Sequence, residues 1–519
     1  MNEKPAGGGH EIMEERFRAL LSNTNAARAV SQAVEGTIGP KGLDTMMIDK
    51  FGEVVITNDG VTILTLMEAN HPAAKMLINA ARAQQLEIGD GTTTATIMAG
   101  ALVTEGASYI LKGVPATKVI EGIRVGIDYV IGLTRQHARE VTGLDDPLGL
   151  AVALIAGRED REIADLTLRA AHLIGEDLLR DDDFRFADSV KAQAGVESEI
   201  FPGVTINRDP VNREMPTLIE GAKILVIDDA LEPEGVSKEA QRTETGLRRY
   251  LELRQLYERN LCKVVEAGIN VVLVDRGIDD LAEEVFSEAG VMVIQRVPHR
   301  ELTRVCEHTG ARMIKRAGFN RDATSLAGYL GTAQLVQNSQ KWGHTRVCGG
   351  GGRPEVTILV GAATEEVVDE RERIARDAAA ALQAALKGGV VPGGGAFEVW
   401  LATQVEKLAH ETQGMTSYGI RCVKEALVRP FSCIVANAGF NPLEKLEEVM
   451  AAQKAARSST VGIDCNQGKV IDMLAQGVVD PALVKIYACK AAAEVAQAIL
   501  RINTIAKKKD AGEDKFDFA

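Results

Sequence analysis

An aspartate between two glycines, followed by three threonines, begins a helical pattern in EIGDGTTTATIMAGAL (87–102). The N–H groups at a helix N-terminus favour an anion, and glycines let a phosphate approach them closely. Thr92, Thr93 and Thr94 could add hydroxyl donors, and Asp90 could hold Mg²⁺ against the phosphates. A plain Asp-Gly turn followed by a threonine cap is the alternative that these residues leave open. The chain contains neither GxxxxGK[ST] nor an intact GxGxxG after a strand, so a phosphate site here is not of the P-loop kind.

Asp377 occupies an unusual place on a predicted helix. In RERIARDAAAALQAAL (371–386) it follows Ile374 by three residues, so it lies beside the apolar stripe and not on the opposite face. A carboxylate there could pair with Arg373 or Arg376, or it could face a site and orient or deprotonate a water molecule. These residues alone leave both interpretations open.

Glycines at two other places could bring backbone close to a ligand. IGPKG (38–42) ends a predicted helix, and VVPGGGA (390–396) precedes another. A helix stop is the ordinary explanation of the first segment, and a linker is the alternative for the second. Asp59 lies in EVVITNDGVTIL (53–64), where Asp-Gly between β-branched runs predicts a hairpin and aspartate is expected for conformational reasons alone.

The elements that must position these residues change along the chain. Residues 68–141 and most of the chain after Gly361 show helical patterns. Short apolar runs in the middle predict strands of a covered sheet at 222–228, 269–275, 291–297 and 356–361. Helical patterns at 241–261 and 279–289 lie among these runs, so the middle of the chain is predicted to be an α/β domain.

Composition limits the kind of protein. With 519 residues, the chain has room for roughly three domains of about 150 residues. The formal net charge of −14, from 59 basic and 73 acidic residues, disfavours nucleic acid as the main partner. Seven cysteines without a CxxC pair predict reduced thiols. The chain begins without a signal-type apolar core and has no apolar span of 18 residues, so we expect a soluble, cytoplasmic protein and no membrane partner.

Six motifs in register resemble one family, the chaperonins, and specifically the group II type of the archaeal thermosome and the eukaryotic cytosolic chaperonin. The motifs are GPKGLD (39–44), ITNDGVTIL (56–64), GDGTTTA (89–95), RDA (376–378), VPGGGA (391–396) and VVDP (478–481). Each is weak alone, but six in register are strong, and the similarity covers nearly the whole chain in the family's order. ILRIN (499–503) and the absence of Gly-Met tail repeats resemble group II more than group I.

The resemblance implies an enzyme that hydrolyses ATP, with ATP and Mg²⁺ as cofactors. Carried over residue by residue, Asp90 would bind Mg²⁺, and Asp59 and Asp377 would position and activate the attacking water. The residues that would contact ATP are Ile38, Gly39, Pro40, Asp90, Gly91, Thr92, Thr93, Thr94, Gly394, Gly395 and Asp480. The last three of these would meet the nucleoside end.

The family's fold is multidomain. The resemblance implies a mostly helical equatorial domain that binds ATP (1–142 and 395–519), a small α/β intermediate domain (143–207 and 361–394) and an α/β apical domain (208–360). A helical protrusion at about 232–259 would serve as a built-in lid. Asp377 would then lie on the intermediate domain and complete the site when that domain swings down, which couples hydrolysis to closure.

The implied function is a folding cage. Two stacked rings of this subunit would enclose unfolded polypeptides, and no separate lid co-chaperonin is expected. Leu247, Tyr250 and Leu251 in the protrusion could offer apolar surface to the substrate or could simply pack the protrusion itself.

Two local features depart from the family's pattern. Gly157-Arg158 stands where group II members commonly carry Gly-Lys in the loop thought to sense nucleotide, and arginine offers a planar fork where lysine offers a point charge. CGGGGRP (348–354) is unusually rich in glycine and predicts a flexible hairpin loop without chemistry.

Two other classes of function are alternatives. One is a chaperonin-like scaffold that binds partners without productive ATP turnover. Asp59, Asp90 and Asp377 argue against it, because such a scaffold needs none of these carboxylates. The other is a metabolic kinase or ATPase, which the large α/β insertion and the lack of a second site for an acceptor disfavour.

Overall fold

The computed structural model describes residues 8–48, 52, 54–235, 243–321, 323–339 and 343–505. The chain forms two compact units, one from Met1–Ala164 and Arg376–Ala519 and the other from Asp165–Ala375. Both ends of the chain therefore contribute to the first unit, whereas the second is continuous. The division into equatorial, intermediate and apical domains is finer and stays a prediction.

Helices account for most of the first unit and alternate with strands in the second. The α-helices are α1 (Gly8–Glu35), α2 (Gly60–Leu66), α3 (Pro72–Glu87), α4 (Thr92–Leu111), α5 (Ala116–His137), α6 (Pro147–Ala156), α7 (Arg161–Ile174), α8 (Glu176–Arg180), α9 (Glu244–Glu266), α10 (Asp280–Glu288), α11 (His299–Thr309), α12 (Ala323–Ala327), α13 (Val368–Gly388), α14 (Ala396–Glu411), α15 (Thr416–Asn437), α16 (Pro442–Ala456) and α17 (Ala482–Leu500). Short 3₁₀ helices occur at Phe186–Ser189, Arg316–Asn320 and Glu365–Val367.

The strands are short in the first unit and longer in the second. They are β1 (Thr45–Ile48), β2 (Val54–Thr57), β3 (Val190–Ala194), β4 (Glu199–Ile206), β5 (Leu218–Ile227), β6 (Val271–Val274), β7 (Met292–Ile294), β8 (Gly331–Ser339), β9 (His344–Gly350), β10 (Val356–Ala362), β11 (Val390–Pro392), β12 (Val461–Ile463), β13 (Val470–Asp472) and β14 (Val479–Pro481). The pairs β11–β14 and β12–β13 interrupt the helical pattern after Gly361, which the sequence did not predict.

Helix α4 lies in the core of the first unit. It is buried along most of its length, and small residues such as Ala95, Ala99 and Gly100 are among its buried positions. Helices α1, α3, α15 and α17 pack around it. A helix that is apolar on every side is typical of a core position, and this packing fixes the place of its N-terminus at Thr92.

The hairpin predicted at 53–64 is wrong. Strand β2 pairs antiparallel with β1, and the chain then enters α2 where a second strand was expected. Asp59 is the N-cap of α2, and its Oδ2 accepts hydrogen bonds from the N–H and the hydroxyl of Thr62 at 2.8 and 2.7 Å. Aspartate is favoured both as an N-cap and in a turn, so the same dipeptide is compatible with both structures.

The second unit is built on an eight-stranded sheet in the order β3-β10-β4-β9-β8-β5-β6-β7. Strands β5, β6 and β7 are parallel. Val271 and Leu273 of β6 belong to one hydrophobic cluster, and Val272 and Val274 belong to another. Both faces of the sheet are therefore covered, which explains the continuous apolar runs in the sequence. All four predicted strands are confirmed, as β5, β6, β7 and β10, and the two predicted helices among them are α9 and α10.

The glycine-rich segment 348–354 is not the flexible loop that the sequence predicts. It completes β9 and then runs along the end of α11. A Cβ added at Gly350 would collide with the carbonyl oxygen of His308, and one at Gly352 with that of Glu307. The Gly350 N–H donates to His308 Nε2 at 3.0 Å, and the Gly352 N–H donates to the His308 carbonyl at 2.8 Å. The glycines thus permit a close approach of strand and helix end.

His308 is expected to make the stability of the second unit depend on pH. Burial lowers the pKa of its imidazole, the nearby Arg304 also lowers it, and the Arg353 carbonyl and the Glu355 carboxylate oppose this only in part. The unfolded chain, with a histidine pKa of about 6.5, therefore binds a proton more readily than the folded protein. We expect the free energy of unfolding to be fully supported above about pH 6.5 and to decrease as the pH falls toward the lowered pKa, by at most about 1.4 kcal/mol per pH unit.

Urea unfolding of the full chain at pH 7.5 and pH 5.0, followed by circular dichroism, measures this effect. His308→Gln is the matched variant, because an amide can accept from Gly350 and donate to the Arg353 carbonyl but does not titrate in this range. The variant should lose less stability between the two pH values than the parent. Equal losses in the two proteins would contradict the role of His308.

The predicted protrusion at 232–259 is described in part, since 236–242 lie outside the described residues. Its described part includes the beginning of α9, where Leu247 and Leu251 are each 50% exposed. Residues four apart lie on the same face of a helix, so the two side chains form a small apolar surface. The described residues of the protrusion do not bury it.

Two further observations concern the chain as described. All seven cysteines lie in the described part, and each is a free thiol. Among the described helices, none combines the length and the apolar composition that crossing a bilayer requires.

Candidate functional site

The N-terminus of α4 is the centre of the predicted site. Gly91 is its N-cap with φ 78°, in the left-handed region that favours glycine, and among the described residues no side chain caps this end. The Gly91 N–H donates to Asp90 Oδ1 at 2.5 Å, and Gln84 Nε2 donates to the Asp90 carbonyl at 2.8 Å. These bonds fix the loop that carries Asp90. The arrangement fits a phosphate on the N–H groups of Thr92 to Thr94 and Mg²⁺ on the Asp90 carboxylate.

Asp59 lies next to this helix end. A Cβ added at Gly60 would come within 2.5 Å of Thr93 Oγ1, so the start of α2 packs directly against the first turn of α4. The Asp59 carboxylate caps α2 through Thr62, as described above, and is partly exposed. Asp59 therefore has a structural role in addition to the one predicted for it.

Helix α13, which carries Asp377, packs against the loop that precedes the N-terminus of α4. A Cβ added at Gly89, which precedes Asp90, would lie 2.7 Å from the Ala380 side chain, one helical turn after Asp377. Asp377 belongs to the first unit together with the other predicted site residues and is partly buried. Arg373, one of the two arginines near Asp377 in the sequence, donates to both carboxylate oxygens of Glu370, at 3.1 and 2.7 Å.

Gly157 and Arg158 also approach the site. A Cβ added at Gly157 would lie 3.6 Å from the side chain of Ala378, the neighbour of Asp377. The Arg158 guanidinium donates to Asn58 Oδ1, one residue before Asp59. Arg158 has φ 55°. A residue other than glycine is rarely found in this region, and such positions cluster at functional sites.

The two glycine-containing segments, 38–42 and 390–396, both pack against helix α15. A Cβ added at Gly39 would lie 3.0 Å from the Ile434 side chain, and one at Gly395 would lie 2.9 Å from Phe431 Cβ, one turn away on α15. Asn437, on the next turn, donates to the Ile38 carbonyl at 2.9 Å. Helix α15 therefore holds Ile38, Gly39 and Pro40 on the same side of the unit as Gly394 and Gly395.

Asp480 is joined to the glycine turn by a short sheet. Strands β11 and β14 pair antiparallel, with Val391 opposite Asp480. A Cβ added at Gly393 would lie 3.3 Å from Asp480 Oδ1. One residue of α17, Val484, also touches the loop that carries Asp90, since a Cβ added at Gly91 would lie 2.5 Å from its Cγ1. The structure thus brings all the predicted site residues into the first unit, on elements that contact one another.

Sequence reasoning missed two charged residues near Asp480. Lys485 Nζ lies 2.7 Å from Asp480 Oδ2 and also pairs with Glu398 Oε1. Burial alone would lower the pKa of the Lys485 ammonium, but the two carboxylates more than offset this and raise it. Glu398 lies in the apolar run AFEVW (396–400), and Lys485 lies in the apolar run LVKIY (483–487). A charged residue within an apolar run is the sequence pattern that could have indicated a buried ion pair.

A separate polar group occurs in the second unit. Asp228, Asp275 and His299 each place one donor atom within 4.8 Å of the others. His299 Nδ1 lies 3.2 Å from Asp228 Oδ1, and Arg276 Nε lies 3.9 Å from Asp275 Oδ2. These local contacts lie in the second unit, and the group is not part of the predicted Mg²⁺ site at Asp90.

The chain is similar to known proteins along most of its length. The family model described as "TCP-1/cpn60 chaperonin family" matches residues 30–510. A thermosome subunit of Pyrococcus abyssi is 35% identical over 506 residues, which are 94% of this chain and 90% of that protein. A thermosome subunit of Pyrococcus horikoshii is 35% identical over 504 residues, 94% and 91% of the two chains. The crystal structure of a group III chaperonin in the open state aligns with a TM-score of 0.82 at 47% identity and covers 95% of this chain and 100% of that one.

Proposed function

Because the chain belongs to the TCP-1/cpn60 chaperonin family, we propose that it is an ATP-dependent chaperonin that encloses non-native polypeptides and promotes their folding. The observation that carries the ATPase part of the proposal is the meeting of three carboxylate-bearing segments at one helix N-terminus. Asp90 precedes α4, Asp59 lies beside its first turn, and Asp377 lies on the helix packed against Gly89.

Each side chain has a chemical task in this proposal. The N–H groups and hydroxyls of Thr92, Thr93 and Thr94 bind the phosphates of ATP. Asp90 would hold Mg²⁺, which would supply positive charge against the charge that develops on the phosphate oxygens. Asp377 accepts a proton from the attacking water, and Asp59 helps to orient that water.

The remaining residues bind the nucleotide and sense its state. Ile38, Gly39 and Pro40 line it, while Gly394, Gly395 and Asp480 contact the nucleoside end. Gly157 and Arg158 respond to the terminal phosphate, and the bond from Arg158 to Asn58 supports this role because it ties the sensing loop to the segment of Asp59.

Domain motion and assembly complete the proposal. The segments 1–142 and 395–519 form the equatorial domain, 143–207 and 361–394 the intermediate domain, and 208–360 the apical domain. Hydrolysis drives closure of a lid made from the protrusion, without a separate co-chaperonin. Leu247 and Leu251 contact apolar segments of the substrate, which their exposure supports. The subunits form two stacked rings in the cytoplasm, where seven unpaired thiols are stable.

Protease protection and ATP turnover test the function together. We expect Mg·ATP alone to protect the protrusion from cleavage and a non-native protein to stimulate hydrolysis, whereas small metabolites should not. Mg·ADP is the matched control, since it occupies the site without a bond to hydrolyse. Substrate binding without turnover would favour the scaffold alternative, and protection only after a lid cofactor is added would overturn the built-in lid.

A further inference from the structure

Lys485 is buried between two carboxylates on different elements. It ends the first turn of α17, Asp480 lies on β14 just before that helix, and Glu398 lies in the first turn of α14. The Lys485 side chain is 12% exposed and that of Glu398 is 4% exposed, whereas Asp480 remains 26% exposed. The group therefore runs from the core of the first unit to its surface.

The charges of this group depend on one another. Glu398 Oε2 has no hydrogen-bond partner among the described residues, so the pairing with Lys485 is what compensates this carboxylate. Removing one partner of a buried ion pair leaves an uncompensated charge, which is far less favourable than leaving the pair intact. Glu398 therefore fixes the position of the Lys485 ammonium from the buried side.

The two carboxylate oxygens of Asp480 have different neighbours. Oδ2 lies 2.7 Å from Lys485 Nζ, and Oδ1 lies beside Gly393, at the start of the glycine turn that continues through Gly394 and Gly395. An ionised carboxylate has about four lone-pair sites, so it can hold the ammonium and still accept a hydrogen bond from a ligand. Because Oδ2 is held, Oδ1 has a defined direction toward the glycine turn.

We propose that Lys485 is a positioning residue of the nucleotide site, which holds the Asp480 carboxylate so that Oδ1 accepts a hydrogen bond from a ribose hydroxyl. Glu398 holds Lys485 in place and does not contact the ligand. This inference rests on the proposed function, since it assigns the contact at the nucleoside end of the same site. It concerns the nucleoside and not the phosphates, which makes it separable by experiment.

Calorimetric titration of Mg·ADP and Mg·pyrophosphate into the full chain tests the assignment, because pyrophosphate has no nucleoside. We expect Lys485→Met to weaken Mg·ADP binding about tenfold and Mg·pyrophosphate binding less than about twofold. Asp480→Ala should give the same pattern, and the double variant should bind Mg·ADP no worse than the worse single variant. Lys454→Met, at an exposed lysine of α16, should match the parent for both ligands.

Several results would overturn the inference. Parent-like ADP binding by Lys485→Met, equal weakening of both ligands, or additive losses in the double variant would each do so. If Lys485→Met does not fold, Lys485→Gln keeps one donor for Asp480 and should show a smaller loss confined to Mg·ADP; no loss or an equal loss would count against the inference. A parent that binds neither ligand would instead reject the proposed nucleotide site, and this inference with it.

Discussion

Asp377→Ala is expected to slow ATP hydrolysis by about a hundredfold or more while leaving the affinity for Mg·ATP nearly unchanged. The carboxylate is assigned to the attacking water, which takes part only in the reaction, so its loss should appear in kcat and not in binding. Alanine favours a helix, and the neighbouring Ala378 and Ala380 keep their packing, so α13 should remain intact. Single-turnover hydrolysis and equilibrium binding of Mg·ATP measure the two quantities separately.

Asp369→Ala is the matched control, because Asp369 is an exposed aspartate on the same helix. It should hydrolyse ATP at the rate of the parent. If Asp377→Ala also does so, the assignment of the water-activating residue is wrong, even though the family is right. If both variants are slow, the effect belongs to the helix and not to the carboxylate.

Asp90→Asn is expected to reduce hydrolysis by about a hundredfold or more, because the Mg²⁺ contribution to charge stabilisation is several kcal/mol and each 1.36 kcal/mol is tenfold. The sharper expectation concerns binding. Asparagine keeps the Oδ1 acceptor for the Gly91 N–H and so preserves the loop, but it removes the charge. Mg·ADP should therefore bind more weakly, whereas metal-free ADP should bind equally well or better, since a negative charge near the phosphates is gone.

Titration of ADP with Mg²⁺ and with EDTA distinguishes these cases. Asp128→Asn, at an exposed position of α5, makes the same chemical change away from the site and should alter neither affinity. If Asp90→Asn weakened the binding of both Mg·ADP and metal-free ADP, the substitution would have disturbed the loop that carries Asp90. An unchanged requirement for Mg²⁺ would place the metal on another residue.

Much of the architecture could be predicted because its signals are local. Continuous apolar runs such as 222–228 and 269–275 are typical of a sheet covered on both faces, and β5 and β6 confirm this prediction. The segment around Asp59 was mispredicted because an aspartate satisfies backbone N–H groups equally well in a turn and at a helix start. In the folded chain Gly60 packs on Thr93, a tertiary contact that no local pattern contains.

The site was predictable as a set of residues but not as an arrangement. Nothing in the spacing of GDGTTTA and RDA shows that Gly89 touches Ala380, nearly three hundred positions later. The buried Lys485 was missed because a single lysine in an apolar run predicts either an exposed side chain or a buried pair, and its partners lie on other elements. The glycines at 349–352 were misread for the same reason: they permit close packing against α11, which composition alone cannot distinguish from flexibility.

The division of the first unit between the two ends of the chain has a consequence for how the protein is made. During synthesis the ribosome releases residues 165–375 as one continuous stretch, and all eight strands of its sheet are present before residues 376–519 have been made. Gly89 packs against Ala380 of α13 and Gly91 against Val484 of α17, so under the proposed function the nucleotide site is complete only after α17 has emerged. Under the proposed function, a nascent chain that stalls before residue 376 would therefore lack a complete nucleotide site and could not consume ATP.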